Sequence, residues 1–178
     1  MSYILVLYHS RHGKTAELAS HIARGIDLGP IESRVRTVSE TDEVPQVAIS
    51  DLANCSGLAL GSPSYFGAIA SPLKSFLETT SELWLNGSLV SKPAMVFSSS
   101  DSIHGGQESV LLSMMVPLLH HGMIIVGTPY TFSGLATTSQ GGTPYGPTAM
   151  GKKKLTSIEI ELAQKSGKRL SEISNKLK

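Results

Sequence analysis

Short apolar runs alternate with amphipathic segments along the whole chain. Residues 3–8, YILVLY, are continuously apolar, as a strand buried on both faces requires. Residues 14–26, KTAELASHIARGI, set Ala16, Ala19, Ile22, Ala23 and Ile26 at helical spacing. Residues 32–38, ESRVRTV, are polar and alternating, which suits an edge strand. A buried strand is predicted over 57–62, followed by a helix over 71–83 with Pro72 in its first turn. A fourth strand spans 92–98, and a helix over 107–122 ends at Gly122 with a kink expected at Pro117. A fifth strand covers 123–127, and a last helix over 155–177 carries Leu155, Ile158, Leu162, Leu170, Ile173 and Leu177 on one stripe.

Strands alternating with helices call for an α/β fold, a parallel sheet with helices on both faces. An optional helix fits between the second and third strands. Residues 128–154 break the pattern as a long loop holding GGTPYGP and the run Lys152-Lys153-Lys154. Loops of that length are either functional or disordered. The lysines read as a solvated turn, with attraction of a phosphate as the second reading.

A chain of 178 residues fits one domain, residues 1–178, with no linker or internal repeat. A formal net charge of +1 argues against a broad nucleic-acid surface and against an acidic face for basic redox partners. One cysteine, Cys55, excludes a disulfide framework and any multi-cysteine metal site; it reads as inert packing. No apolar run reaches the length of a membrane span, and the chain enters a strand at once, so a cytoplasmic protein is expected.

Ligands of a doubly wound sheet sit beyond the carboxyl ends of its strands. There the chain places Ser10-Arg11-His12-Gly13-Lys14-Thr15, then SPSYFGA (62–68), then SSSDSIHGG (98–106). Gly13-Lys14-Thr15 looks like the close of a nucleotide P-loop. Such a loop needs a glycine five residues earlier, where this chain has Tyr8. With no Mg²⁺ ligands nearby, a triphosphate is disfavoured. The start of a helix with a hydroxyl at each end suits one phosphate monoester, the plain alternative being a cap and first turn. Tyr65 and Phe66 beside Gly67, and His104 beside Gly105 and Gly106, let a flat ring approach the backbone. Together the loops suggest a planar ligand carrying a phosphate. No hydrolase elbow or metalloprotease motif is present. His120 and His121 read as helix capping, Met114 and Met115 as core, and Trp84 as packing or as cover for a site.

The segments GSPSYFGAIASPLKSFLETTSELWLNGSLVSKPAMVFSSSDSIHGGQES, PLLHHGMIIVG and GGTPYG, in that order, closely resemble the WrbA-type NAD(P)H:quinone oxidoreductases, flavodoxin-like FMN proteins. The resemblance spans residues 3–150. It implies a five-stranded parallel sheet of order 2-1-3-4-5 and FMN as cofactor. The family's phosphate loop falls on Ser10, Arg11, His12, Gly13, Lys14 and Thr15. Its loop beside the isoalloxazine falls on Pro63, Ser64, Tyr65, Phe66 and Gly67. Its second flavin loop falls on Ser98, Ser99, Ser100, Asp101, Ser102 and on to Gly105. The flavin-contacting histidine matches His121 and the active-site tryptophan Trp84. Family members form homotetramers in which neighbouring subunits complete each site; a dimer is the alternative. His12 stands where relatives carry an aromatic, Tyr65 where they carry arginine, and TAMGKKKL replaces an Arg-Pro stretch.

The activity implied is two-electron transfer from NAD(P)H to quinones in ping-pong fashion, the flavin carrying the redox chemistry. His121 and His104 are candidate donors to quinone oxygens. The competing reading is an FMN-loaded electron carrier or regulatory module that does not turn over NAD(P)H. Near-neutral charge counts against a shuttle's docking face. NADH versus NADPH stays open.

Overall fold

The computed structural model describes residues 2–39, 43–151 and 154–177. Lys152 and Lys153 of the charge run lie outside them. The chain runs β1 (Tyr3–Tyr8), α1 (Lys14–Asp27), β2 (Glu32–Thr37), α2 (Ile49–Ala53), β3 (Gly57–Pro63) and α3 (Ser71–Glu78). It continues with α4 (Ser81–Leu85), β4 (Pro93–Ser100), α5 (Gln107–His120), β5 (Ile124–Ile125), α6 (Ser133–Thr137), β6 (Thr148–Met150) and α7 (Ser157–Lys176).

The strands form one parallel sheet of order β2-β1-β3-β4-β5, as expected, with β6 also paired to β4. Strand alternation splits the core in two. Leu5, Leu7, Leu58, Leu60 and Val96 face Leu73, Val110, Leu111 and Met114 of α3 and α5. Ile4, Val6, Ala59, Met95 and Phe97 face Leu18, Ile22 and Ile26 of α1 and Ala163 and Leu170 of α7. Among the described residues no helix is long and apolar enough to cross a membrane.

The fifth strand differs from expectation. β5 pairs only Pro93 and Ala94, while Ser98 to Ser100 pair Thr148 to Met150. The long loop therefore leaves the sheet edge and returns to it, and one strand position is filled by two segments. The expected helix over 71–83 is two helices, broken where buried Thr80 donates its hydroxyl to Leu77 O at 2.7 Å. α5 continues through Pro117 and ends at His120. Leu177, just past the end of α7, is 52 % exposed, and on the helix Ser166, Gly167, Ser171 and Ser174 share the buried stripe with Leu162 and Leu170.

The outer strand β2 is tied to α2 by Asp51. Its carboxylate accepts from Ala48 N at 3.1 Å, Arg36 Nε at 3.0 Å and Arg34 Nη1 at 3.2 Å. The Arg34 guanidinium also lies 3.6 Å over the Tyr3 ring. Burial pushes the Asp51 carboxyl up, but the Ala48 N–H and then Arg36 and Arg34 outweigh it and hold it below its ordinary 3.8. Its contribution is thus present above that value and lost as pH falls through the lower folded one. Asp51→Asn should cost about 1–3 kcal/mol at neutral pH, and the gap to the wild type should close in strong acid. Urea unfolding of both proteins at neutral and acid pH checks this.

Candidate functional site

β1, β3 and β4 are parallel and in register, Tyr8 opposite Gly61 and Pro63 opposite Ser99. The loops that follow them therefore leave one edge of the sheet side by side. They enclose a cleft of about 750 Å³, within the usual range for a small-molecule site. It is lined by Ser10, Arg11, His12, Lys14 and Thr15 of the first loop. Pro63, Ser64, Tyr65, Phe66 and Gly67 line it from the second, and Ser99, Ser100, Asp101, Ser102, His104 and Gly105 from the third. Gly106, expected beside His104 and Gly105 to let a flat ring approach, lines it too.

Two helices begin at this cleft. The residues preceding α1 and α5, Gly13 and Gly106, have φ of 86° and 78°. A Cβ on Gly106 would stand 2.7 Å from Gly67 Cα, so only glycine lets the second and third loops close on each other. The N-termini of both fourteen-residue helices lend positive potential to the cleft. Among the described lining residues Asp101 is the only carboxylate, against Arg11 and Lys14. Lys14 Nζ pairs with Glu17 at 3.0 Å.

Hydrogen bonds weld the loops to one another. Thr15 Oγ1 lies 2.9 Å from Ser99 Oγ, joining the first turn of α1 to the end of β4. Ser64 N donates to Ser99 O at 2.7 Å and Ser64 Oγ to Gly105 O. Ser109, absent from the sequence reading, donates to Gly67 O at 2.7 Å. Gln107 Nε2 donates to Ser100 Oγ at 2.7 Å, and Ser100 Oγ donates to Ser102 O at 2.7 Å. Ser10 Oγ accepts Ala16 N–H at 3.3 Å, so this hydroxyl does serve the first turn of α1.

The second loop turns through Phe66 and Gly67, φ 53° and 76°, with Tyr65 and Ala68 exchanging backbone hydrogen bonds at 3.1 and 3.0 Å. A bulky residue in the left-handed region is costly, of order 1–2 kcal/mol, and Phe66 is fully exposed there. Strain of this sort persists only where the surrounding structure over-determines it. Tyr65 packs edge-on to His9, and its hydroxyl is buried with no partner among the described residues. His9 is pushed below its ordinary pKa by burial and then by Arg11.

Four expected residues stand apart. Ser98 is fully buried and turns its hydroxyl to Ser62 O at 2.9 Å, because alternation sends it to the opposite face from Ser99. Gly13 precedes the helix without lining the cleft. His121 and Trp84 line a different depression of about 610 Å³, with Thr80, Pro117 and His120. His121 follows the last residue of α5, whose first turn adjoins the cleft; fourteen residues carry it about 21 Å away. Its Nε2 is 2.9 Å from Thr80 Oγ1 and its Nδ1 is buried without a partner among the described residues. Burial and then His120 push its pKa down. Cys55 is buried, and burial pushes its thiol up to about 11, as inert packing requires.

Residues 4–138 match the family described as NADPH-dependent FMN reductase. Proteins named NAD(P)H dehydrogenase (quinone) from Cupriavidus metallidurans and Rhizobium rhizogenes are 36 % and 35 % identical, each alignment covering 99 % of both chains. The solved structure of a WrbA-like flavodoxin from Agrobacterium tumefaciens superposes with a TM-score of 0.80 at 20 % identity over the full length of both chains. That last likeness speaks for the fold, and the first two for descent: this chain belongs to the NADPH-dependent FMN reductase family.

Proposed function

We propose that the chain binds FMN in the cleft of β1, β3 and β4 and is an NAD(P)H:quinone oxidoreductase. The observation that carries this is the cleft itself: three loops prewelded at one sheet edge, with a helix N-terminus and hydroxyls at one end and aromatic and glycine residues beside it. In sheets of order 2-1-3-4-5 the flavin site lies where the strand order reverses, between β1 and β3. The names of the relatives point to the same chemistry. FMN, when bound, supplies two-electron transfer, accepting hydride from NAD(P)H and delivering electrons to a quinone in turn.

In this reading Ser10 to Thr15 hold the phosphate through the N–H groups of α1's first turn and through hydroxyls, which donate hydrogen bonds to it. Pro63 to Gly67 and Ser99 to Gly105 flank the ring. Backbone N–H groups between Ser100 and Gly105 favour added negative charge on their side of the cleft. His104, at the rim, orients a quinone oxygen. Nicotinamide and quinone share one space and visit it alternately, so parallel double-reciprocal lines are expected.

Trp84 and His121 are too far along their helices to reach the same chain's cleft, so they serve it only from a neighbour. Leu112, Val116 and Leu119 lie on one stripe of α5, 48 %, 55 % and 58 % exposed, with Val116 and Trp84 lining the same depression. An unpartnered apolar stripe of that kind suits a subunit contact. We assign it to a homotetramer.

Stopped-flow mixing of the FMN-loaded protein with NADH or NADPH should bleach the flavin band, and added quinone should restore it. No bleaching with either nucleotide removes the enzyme and leaves an electron carrier or regulatory module. Ser10→Ala with Thr15→Ala should weaken FMN binding by about 1.5–3 kcal/mol for each charge-assisted bond lost; unchanged affinity in a flavin titration would sink the phosphate assignment. Val116→Asp should convert the assembly to monomers in light scattering while FMN stays bound and quinone turnover falls. A monomeric wild type contradicts the assembly.

A further inference from the structure

Glu159, in the first turn of α7, is 1 % exposed, and among the described residues no cation pairs with its carboxylate. Four donors hold it instead. Oε2 accepts from Thr156 N at 2.8 Å and from Thr156 Oγ1 at 2.9 Å, while Glu159 N donates to Thr156 Oγ1 at 3.2 Å. That half is a capping box and accounts for the start of α7. The other oxygen has no part in the helix. Oε1 accepts from Gly141 N at 3.1 Å and from Met150 N at 2.9 Å, the two feet of the segment that ends in β6. A Cβ on Gly141 would lie 2.5 Å from this oxygen and 2.2 Å from Thr148 O, so glycine is what admits the carboxylate.

Met150 is the residue opposite Ser100 in the sheet, and Gly151 N donates to Ser100 O at 2.8 Å. Ser98 N donates to Pro147 O at 3.1 Å, and Gln107 Nε2 reaches both Ser100 Oγ and Ala149 O, at 2.7 and 3.4 Å. The pinned strand is thus the lateral support of the residues from which the third cleft loop springs. A buried carboxylate held by four donors is rigid, because without it the Gly141 N–H would be buried and unsatisfied and those of Met150 and Thr156 would lose their acceptor half-buried.

We propose that Glu159 is a positioning residue for the redox site: its Oε1 fixes β6 against β4 and thereby sets where Ser99 to Gly105 stand. This rests on the reading that FMN occupies the cleft. The helix-start role and the positioning role use different oxygens, so they separate experimentally. Thr156→Ala removes the cap and leaves Oε1 on Gly141 and Met150. Glu159→Gln keeps an oxygen for those two N–H groups and offers its NH₂ to the Thr156 hydroxyl, while the Thr156 N–H loses its acceptor, a loss confined to the helix start. Glu159→Ala removes both. Thr156→Ala and Glu159→Gln should keep FMN affinity within twofold of wild type and leave the visible circular dichroism of bound FMN unchanged. Glu159→Ala should weaken FMN at least tenfold and change that spectrum.

Glu159→Asp, too short to span both N–H groups, carries the same expectation should Glu159→Ala fail to fold. Wild-type affinity and spectrum in folded Glu159→Ala or Glu159→Asp, or an equal loss in Thr156→Ala, overturns the proposal. Amide hydrogen exchange on the flavin-free proteins tests it independently of the cofactor. Ser99 to Ser102 should exchange faster than wild type in Glu159→Ala and Glu159→Asp but not in Thr156→Ala, and equal protection in all four overturns it. A wild type that does not bind FMN while this exchange pattern holds defeats the functional reading alone.

Discussion

The hydrogen bond between Thr15 and Ser99 joins residues 84 positions apart and brings the first turn of α1 against the end of β4. Parallel strands allow this contact, because every carboxyl end points the same way. Without it, the loops after β1 and β4 would be separate turns on a sheet edge. With it, the N-terminus of α1, two hydroxyls and the third loop share one wall. Ser64, bonded to Ser99 and Gly105, and Ser109, bonded to Gly67, bring the middle loop to the same wall. Each such bond contributes only about 0.5–1.5 kcal/mol, but together they remove loop motions that a ligand would otherwise have to freeze.

What the sequence makes legible is what local chemistry specifies. The runs 3–8, 57–61 and 93–97 carry no polar side chain outside Tyr3 and Tyr8, and that pattern suits strands covered on both faces. The Ser- and Gly-rich stretches after them point to the cleft because they follow the carboxyl ends of buried strands, where a doubly wound sheet places its ligand. β6 stayed hidden because Thr-Ala-Met is three residues long, with no period to detect, and pairs only by virtue of a partner fifty residues away. The break at Thr79-Thr80 has no glycine or proline to announce it; the buried Thr80 hydroxyl, shared with His121, becomes visible only in three dimensions. Ser98 is a different case. Strand alternation already implies that Ser98 and Ser99 face opposite ways, and a period-two reading of 93–100 separates them.

Two buried carboxylates organise opposite margins of the sheet by different means. Asp51 uses two arginines to hold β2 to α2, and its contribution fades in acid. Glu159 uses backbone and hydroxyl donors to hold β6. The first serves the edge farthest from the third loop, the second the strand that supports it. His121 and Trp84 lie at neither margin; they line a separate depression beside the exposed stripe of α5.

The cleft is read as a cup for a phosphate first and a ring second, and calorimetric titration of the flavin-free protein with FMN and with riboflavin tests that most directly. Two charge-assisted bonds at the low end of their range correspond to about a hundredfold in affinity. One FMN per chain, bound about a hundredfold more tightly than riboflavin, is the expected result; equal affinity for the two, or no binding of either, would contradict it.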